Sequence, residues 1–89
     1  MWELANKTDD EIIIAMCREL NREDPGPNPV PDDHMRNTLR ILREEPIRGR
    51  TVVLRLDGQV RGYALLISFW SNELGGEACN IDELYVHSE

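Results

Sequence analysis

Arg61-Gly62-Tyr63-Ala64-Leu65-Leu66-Ile67-Ser68-Phe69-Trp70 and, after a turn, Ile81-Asp82-Glu83-Leu84-Tyr85-Val86-His87 read as two long β-strands. The loop between them spans Ser71 to Gly76, and the second strand runs from Glu77 to His87. Past Gly62 the first strand is apolar on both faces: Tyr63, Leu65, Ile67 and Phe69 alternate with Ala64, Leu66 and Trp70. Strands covered on both faces lie inside layered structures. This stretch therefore predicts an α/β arrangement in which two helices split across the sheet or a second chain covers one face. Immediately upstream, Thr51-Val52-Val53-Leu54-Arg55-Leu56 is rich in branched residues, as strands are. Asp57-Gly58 is a two-residue hairpin signal, because a type I′ turn needs positive φ at both central positions.

Two helices precede this meander. Ile13, Met16, Cys17 and Leu20 recur at helical spacing and form one apolar stripe, which Ile12 and Ile14 widen. Thr8-Asp9-Asp10-Glu11 fits a capping box ahead of it, with Thr8 accepting a free amide and Glu11 reaching back. Four prolines between Pro25 and Pro31 end that helix in a stiff, extended loop. Asp32 or Asp33 then caps a second helix whose inner face is Met35, Leu39 and Leu42, and which ends by Pro46. Met1 to Lys7 supplies a short first strand with Trp2 and Leu4 on one face. The element order is (β)ααβββ, an α/β (α+β) fold with a mostly antiparallel sheet, and residues 1–89 form a single domain.

Bulk properties narrow the function. The chain has 89 residues, 40% of them hydrophobic and 30% charged, with a formal net charge of -7. No basic cluster exists to neutralise phosphates, which argues against nucleic-acid binding. The acidity favours solubility or cationic partners. Cys17 and Cys79 have no CxxC spacing, so no metal is expected, and both read as buried, reduced thiols of a cytoplasmic protein. Nothing resembles a signal peptide or a membrane span. His34 follows a helix start and reads as exposed; His87 is close to the terminus and reads as mobile.

Asp57-Gly58-Gln59-Val60-Arg61-Gly62-Tyr63 and Ile81-Asp82-Glu83-Leu84-Tyr85-Val86 resemble the "dG-x-ivGy" hairpin and the "ideLyV" strand of the GCN5-related N-acetyltransferase family. The resemblance covers the chain as the N-terminal half of that acyl-CoA N-acyltransferase fold. The loop Trp70-Ser71-Asn72-Glu73-Leu74-Gly75-Gly76 is weakly similar to the diamine and thialysine acetyltransferase branch. The family's glycine-rich loop R/Q-x-x-G-x-G/A, which holds the pyrophosphate of acetyl-CoA, does not occur before Glu89.

Transfer of acetyl from acetyl-CoA to a primary amine is what the resemblance implies. The backbone of Leu84, Tyr85 and Val86 would pair with the pantetheine arm as another strand would. Asp82, with Glu83 as the second choice, would take the proton that a protonated amine must lose before it attacks. Strand alternation would send the two carboxylates to opposite faces. Glu23, Asp24 and Asn28, with Asp32, would face the amine in the loop that lines the family's acceptor pocket. Without the pyrophosphate loop the same resemblance implies poor acetyl-CoA binding and no activity of this chain alone. The alternatives are a non-catalytic truncated module acting through homo-oligomerisation or a complementing chain at the last strand, and an unrelated small α+β domain.

Overall fold

The short first strand forms in the computed structural model, which describes residues 1–27 and 29–87. It is β1 (Trp2–Leu4). A 3₁₀ turn over Lys7–Asp9 leads directly into helix α1 (Asp10–Glu23). The cap sits two residues earlier than Thr8, at Asn6. The Asn6 side chain accepts the Thr8 amide at 3.0 Å, and the Asp9 carboxylate accepts the Asn6 amide at 3.0 Å. Asp9 is held there by a tertiary contact, since Arg55 donates to it at 2.9 Å, and Glu11 instead pairs with Arg36. The Asn6–Asp9 box thus replaces the expected Thr8–Glu11 box.

On α1 the residues Ile13, Ile14, Met16 and Cys17 are buried, and Leu20 is half-buried against them, whereas Ile12 faces solvent. Helix α2 (Asp32–Glu44) starts after Pro31 with no side-chain cap. Asp32 and Asp33 lie inside its first turn, where their charge suits the positive end of the helix dipole. Met35, Leu39 and Leu42 are buried, as the periodicity requires. A second 3₁₀ turn, Pro46–Arg48, hands the chain to the sheet.

Strands β2 (Gly49–Leu56), β3 (Gln59–Ser71) and β4 (Gly76–Val86) complete an antiparallel sheet of order β1-β2-β3-β4. Asp57 and Gly58 turn with φ of 52° and 76°, the positive pair that the β2–β3 hairpin needs. Two extra residues interrupt the ladders. Arg61 lies between the pairs Leu54–Gly62 and Arg55–Val60, and Asp82 between Leu65–Glu83 and Leu66–Ile81.

Register assigns the faces. Val53, Tyr63 and Tyr85 stand in one row across the sheet, and Thr51, Leu65 and Glu83 in the next. Both helices pack on this face, because their buried residues and Val53, Tyr63, Leu65 and Tyr85 belong to one core. The helices do not split across the sheet. Their short connection keeps them adjacent, and ion pairs join them: Arg43 to Asp10 at 3.0 and 3.1 Å, Arg18 to Asp32 at 3.3 Å, and Arg36 to Glu11. The opposite face carries a row of Trp2, Leu54, Gly62 and Val86 and a row of Leu4, Val52, Ala64 and Leu84. Among the described residues no helix covers these rows. The apolar outer face of β3 is therefore real, and it is open.

Candidate functional site

Asp82 decides the geometry of β4. Counting back from the hairpin, an unbroken ladder would pair Leu65 with Asp82 and Tyr63 with Leu84. The extra residue places Glu83 opposite Leu65 and Tyr85 opposite Tyr63 instead. A bulge of this kind kinks its strand and re-aims side chains. The extra residue interrupts the strand period on which the expected separation of Asp82 from Glu83 rests. Asp82 is exposed, with no hydrogen bond or ion pair to another described residue, whereas Glu83 is half-buried under the helices.

Glu83 is held from within the core. The Tyr63 hydroxyl, on a side chain with 0% exposure, donates to it at 2.9 Å. Burial first, and the Glu83 charge second, push the Tyr63 phenol far above its ordinary range, so it stays a neutral donor. The Cys17 thiol from α1 lies against the same hydroxyl, and burial raises its pKa as well. A thiol kept protonated is a poor nucleophile, so covalent chemistry at Cys17 has no support.

A second pair stands beside the first. The Tyr85 hydroxyl donates to Glu23 at 3.1 Å, tying the last residue of α1 to β4. Burial, then the hydrogen bond to Glu23, raises the Tyr85 pKa. His87 is not loose: its amide donates to the Arg61 carbonyl at 2.8 Å, and its ring meets Tyr85 edge-on at 5.5 Å. Two tyrosine–carboxylate pairs thus converge where α1 ends over β3 and β4. A carboxylate fixed by a buried donor keeps its acceptor capacity aimed, and two of them favour a cation nearby.

Several expected site residues come together here and others do not. Glu23 and Tyr85 touch, and Glu83 joins through Tyr63. Asp24 is exposed at the end of α1, and Asp32 is paired with Arg18. Asn28 lies outside the described residues. Leu84, Tyr85 and Val86 are on the sheet's edge strand, paired only to β3 among the described residues. His34 is exposed. Cys79 is exposed rather than buried, because it lies past the end of β2 on the open side of the sheet. No three of His, Cys, Asp and Glu converge as a metal site among the described residues.

The partner roles of Tyr63 and Tyr85 escaped sequence reading. Their hydroxyls reach carboxylates only because the bulge sets the register, and a bulge at Asp82 has no local sequence signal. A cavity of about 310 Å³ lies elsewhere, between β1, α2 and the start of β2, with Leu4, Ala5, Leu39, Leu42, Pro46 and Thr51 in its lining. It includes none of the β4 carboxylates. No helix among the described residues is long and apolar enough to cross a membrane.

No protein-family model matches this chain, and no curated protein sequence does. Solved structures do. An integron cassette protein from the mobile metagenome of Cole Harbour Salt Marsh matches with a TM-score of 0.86 at 22% identity, over 98% of this chain and 56% of that one. A possible acetyltransferase from Clostridium difficile 630 matches at 0.83 and 19% identity, over 99% and 57%. The ribosomal-protein-alanine N-acetyltransferase of Brucella melitensis biovar Abortus 2308 matches at 0.69 and 18%, over 99% and 57%. The chain spans a little over half the length of these structures. These matches identify the architecture: over almost its whole length the chain shares the fold of a little over half of each of these structures, a partial GCN5-related N-acetyltransferase fold.

Proposed function

We propose that this chain is the amine-receiving part of an N-acetyltransferase that moves acetyl from acetyl-CoA to a primary amine. The observation that carries the reading is the edge strand β4, which presents an unpaired carboxylate at a bulge beside a second carboxylate anchored by a buried tyrosine. The described residues fit the cofactor in one respect: the outer edge of β4 at Leu84, Tyr85 and Val86 is open to amide pairing with a pantetheine arm. When bound, acetyl-CoA would supply the acetyl group as a thioester.

Asp82 is the base in this reading. Glu83 is already engaged by Tyr63, whereas Asp82 has its full acceptor capacity, directly or through one water. It would take one proton from the ammonium and free the nitrogen lone pair for attack, and the second amine proton would leave with the thiol of the spent donor. Glu83 and Glu23 hold the cationic acceptor near the strand by charge. A non-catalytic module acting by association is the second reading, and the open sheet face favours it.

Calorimetric titration with acetyl-CoA tests the first reading. Poor binding is the expected result for these 89 residues alone, as the absence of the pyrophosphate loop before Glu89 implies, whereas saturable binding at micromolar ligand would show that the β4 edge captures the cofactor by itself. With binding in hand, Asp82→Asn is expected to lower acetyl transfer at least ~100-fold, the usual scale of one general base. Because Asp82 is exposed, the stability of this variant should change by less than ~0.5 kcal/mol. Unchanged turnover in Asp82→Asn would remove it from the chemistry.

A further inference from the structure

The cavity of about 310 Å³ beside β1 is walled mainly by hydrocarbon. Leu4 and Ala5 stand where β1 ends, Leu39 and Leu42 come from the inner face of α2, and Pro46 opens the turn that follows. Close packing leaves few voids larger than a water molecule inside a domain. A hollow of this size against Leu39 and Leu42, which are 2% and 6% exposed, exceeds that allowance. It falls at the lower end of small-molecule pockets. A dry cavity of about 150 Å³ with such walls holds benzene, so this one has room for a substituted ring.

The charged groups in the wall narrow the class of occupant. Asp10 and Arg43 neutralise each other through hydrogen bonds at 3.0 and 3.1 Å. Arg50 also lines the cavity, but it alternates with Thr51 and stands in the row of Leu66 and Ile81 on the opposite face of the sheet. An occupant with a net charge would have to break the Asp10–Arg43 pair to gain a partner. An uncharged one leaves that pair intact.

One polar group in the wall is unanswered. Thr51 is 9% exposed, and its hydroxyl has no hydrogen-bond partner among the described residues. The oxygen is out of reach of water, but hydroxyl and methyl share the Thr51 Cβ, and one step between staggered rotamers exchanges their places. An occupant that offers a hydroxyl to the rotated group recovers the cost of leaving it unbonded. We infer that this cavity binds a small uncharged hydrocarbon carrying one hydroxyl, of the size of a substituted phenol. Its ring packs on Leu39, Leu42 and Pro46, and its hydroxyl bonds to Thr51. None of the β4 carboxylates lines the cavity, so the inference is independent of the acetyltransferase reading.

Amide NMR titrations with p-cresol and with toluene, which differ only by the hydroxyl, decide it. Saturable shifts centred on Ala5, Leu39, Leu42 and Thr51 are expected with both, and p-cresol should bind more tightly. Thr51→Val keeps the shape of the side chain and should weaken p-cresol about 3- to 10-fold, the worth of one hydrogen bond, while toluene affinity stays as it was. Ala5→Phe fills the cavity and should abolish binding of both probes. It leaves the backbone hydrogen bond from the Ala5 amide to the Thr51 carbonyl in place, so far-UV circular dichroism should be unchanged. Absence of saturable shifts with p-cresol, or shifts centred on β4, would overturn the site. Equal effects of Thr51→Val on the two probes would overturn the bond to Thr51, and with it the inferred class of ligand.

Discussion

Thr51 shows how one atom can work against a fold. Its side chain is 9% exposed, and its hydroxyl has no hydrogen-bond partner among the described residues. A buried hydroxyl without a partner carries its full desolvation cost, whereas valine has the same shape and no such group. Thr51→Val is therefore expected to stabilise the chain by about 1 kcal/mol in urea unfolding. A loss of stability would show that the hydroxyl has a partner in solution. Tyr63 makes the opposite case, since its hydroxyl is buried and satisfied. In the unfolded chain a phenol titrates near pH 10. In the fold, burial and the Glu83 charge hold the Tyr63 proton well beyond that. The folded form then keeps a proton that the unfolded form releases. The corresponding stability is intact below about pH 10 and falls above it, by about 1.4 kcal/mol per pH unit. Tyr63→Phe should flatten that alkaline limb, and equal slopes in the two proteins would assign the loss to other groups.

Among the elements, β3 and β4 carry both what sequence made legible and what it concealed. The hairpin at Asp57-Gly58 was readable because only residues tolerant of positive φ suit that turn. The helix faces were readable because Met35, Leu39 and Leu42, like Ile13, Met16 and Cys17, repeat at helical spacing. The double-sided apolar pattern of β3 was also correct, yet it could not say whether both sides were covered, since periodicity records preference and not what is at hand to satisfy it. The two bulges were invisible because each depends on a pairing partner far away in sequence. Gly62 is legible only with hindsight: a Cβ there would meet the Tyr85 carbonyl oxygen at 2.6 Å and Val86 Cγ2 at 3.1 Å. Backbone cannot yield as a side chain can, so Gly62→Ala is expected to cost about 2 kcal/mol in chemical unfolding. Gly76→Ala, with nothing within 4 Å, should change stability by less than about 0.5 kcal/mol. Equal effects at the two positions would mean that β4 can shift away from β3.

For the molecule as a whole, two helices cover one side of a four-stranded sheet, and among the described residues no helix covers the apolar other side. The proposed base sits at the other boundary, on the outermost strand. These two features meet at Asp82, with an outcome that differs from that of any other residue in β4. Pairs Leu66–Ile81 and Leu65–Glu83 are consecutive on β3, so Asp82 is a supernumerary letter in the spelling of the strand. Excising it alone would leave every other pair in place, with Ile81 still toward the open face and Glu83 still toward the helices. Loss of Ile81 or Glu83 could instead be absorbed only by drawing Asp82 into the vacated pairing position. The deletion of Asp82 should therefore yield a folded protein with an ordinary, straighter last strand and no base. In evolutionary terms, a lineage could gain or shed the carboxylate proposed as base through a single codon insertion or deletion, without editing the scaffold that displays it.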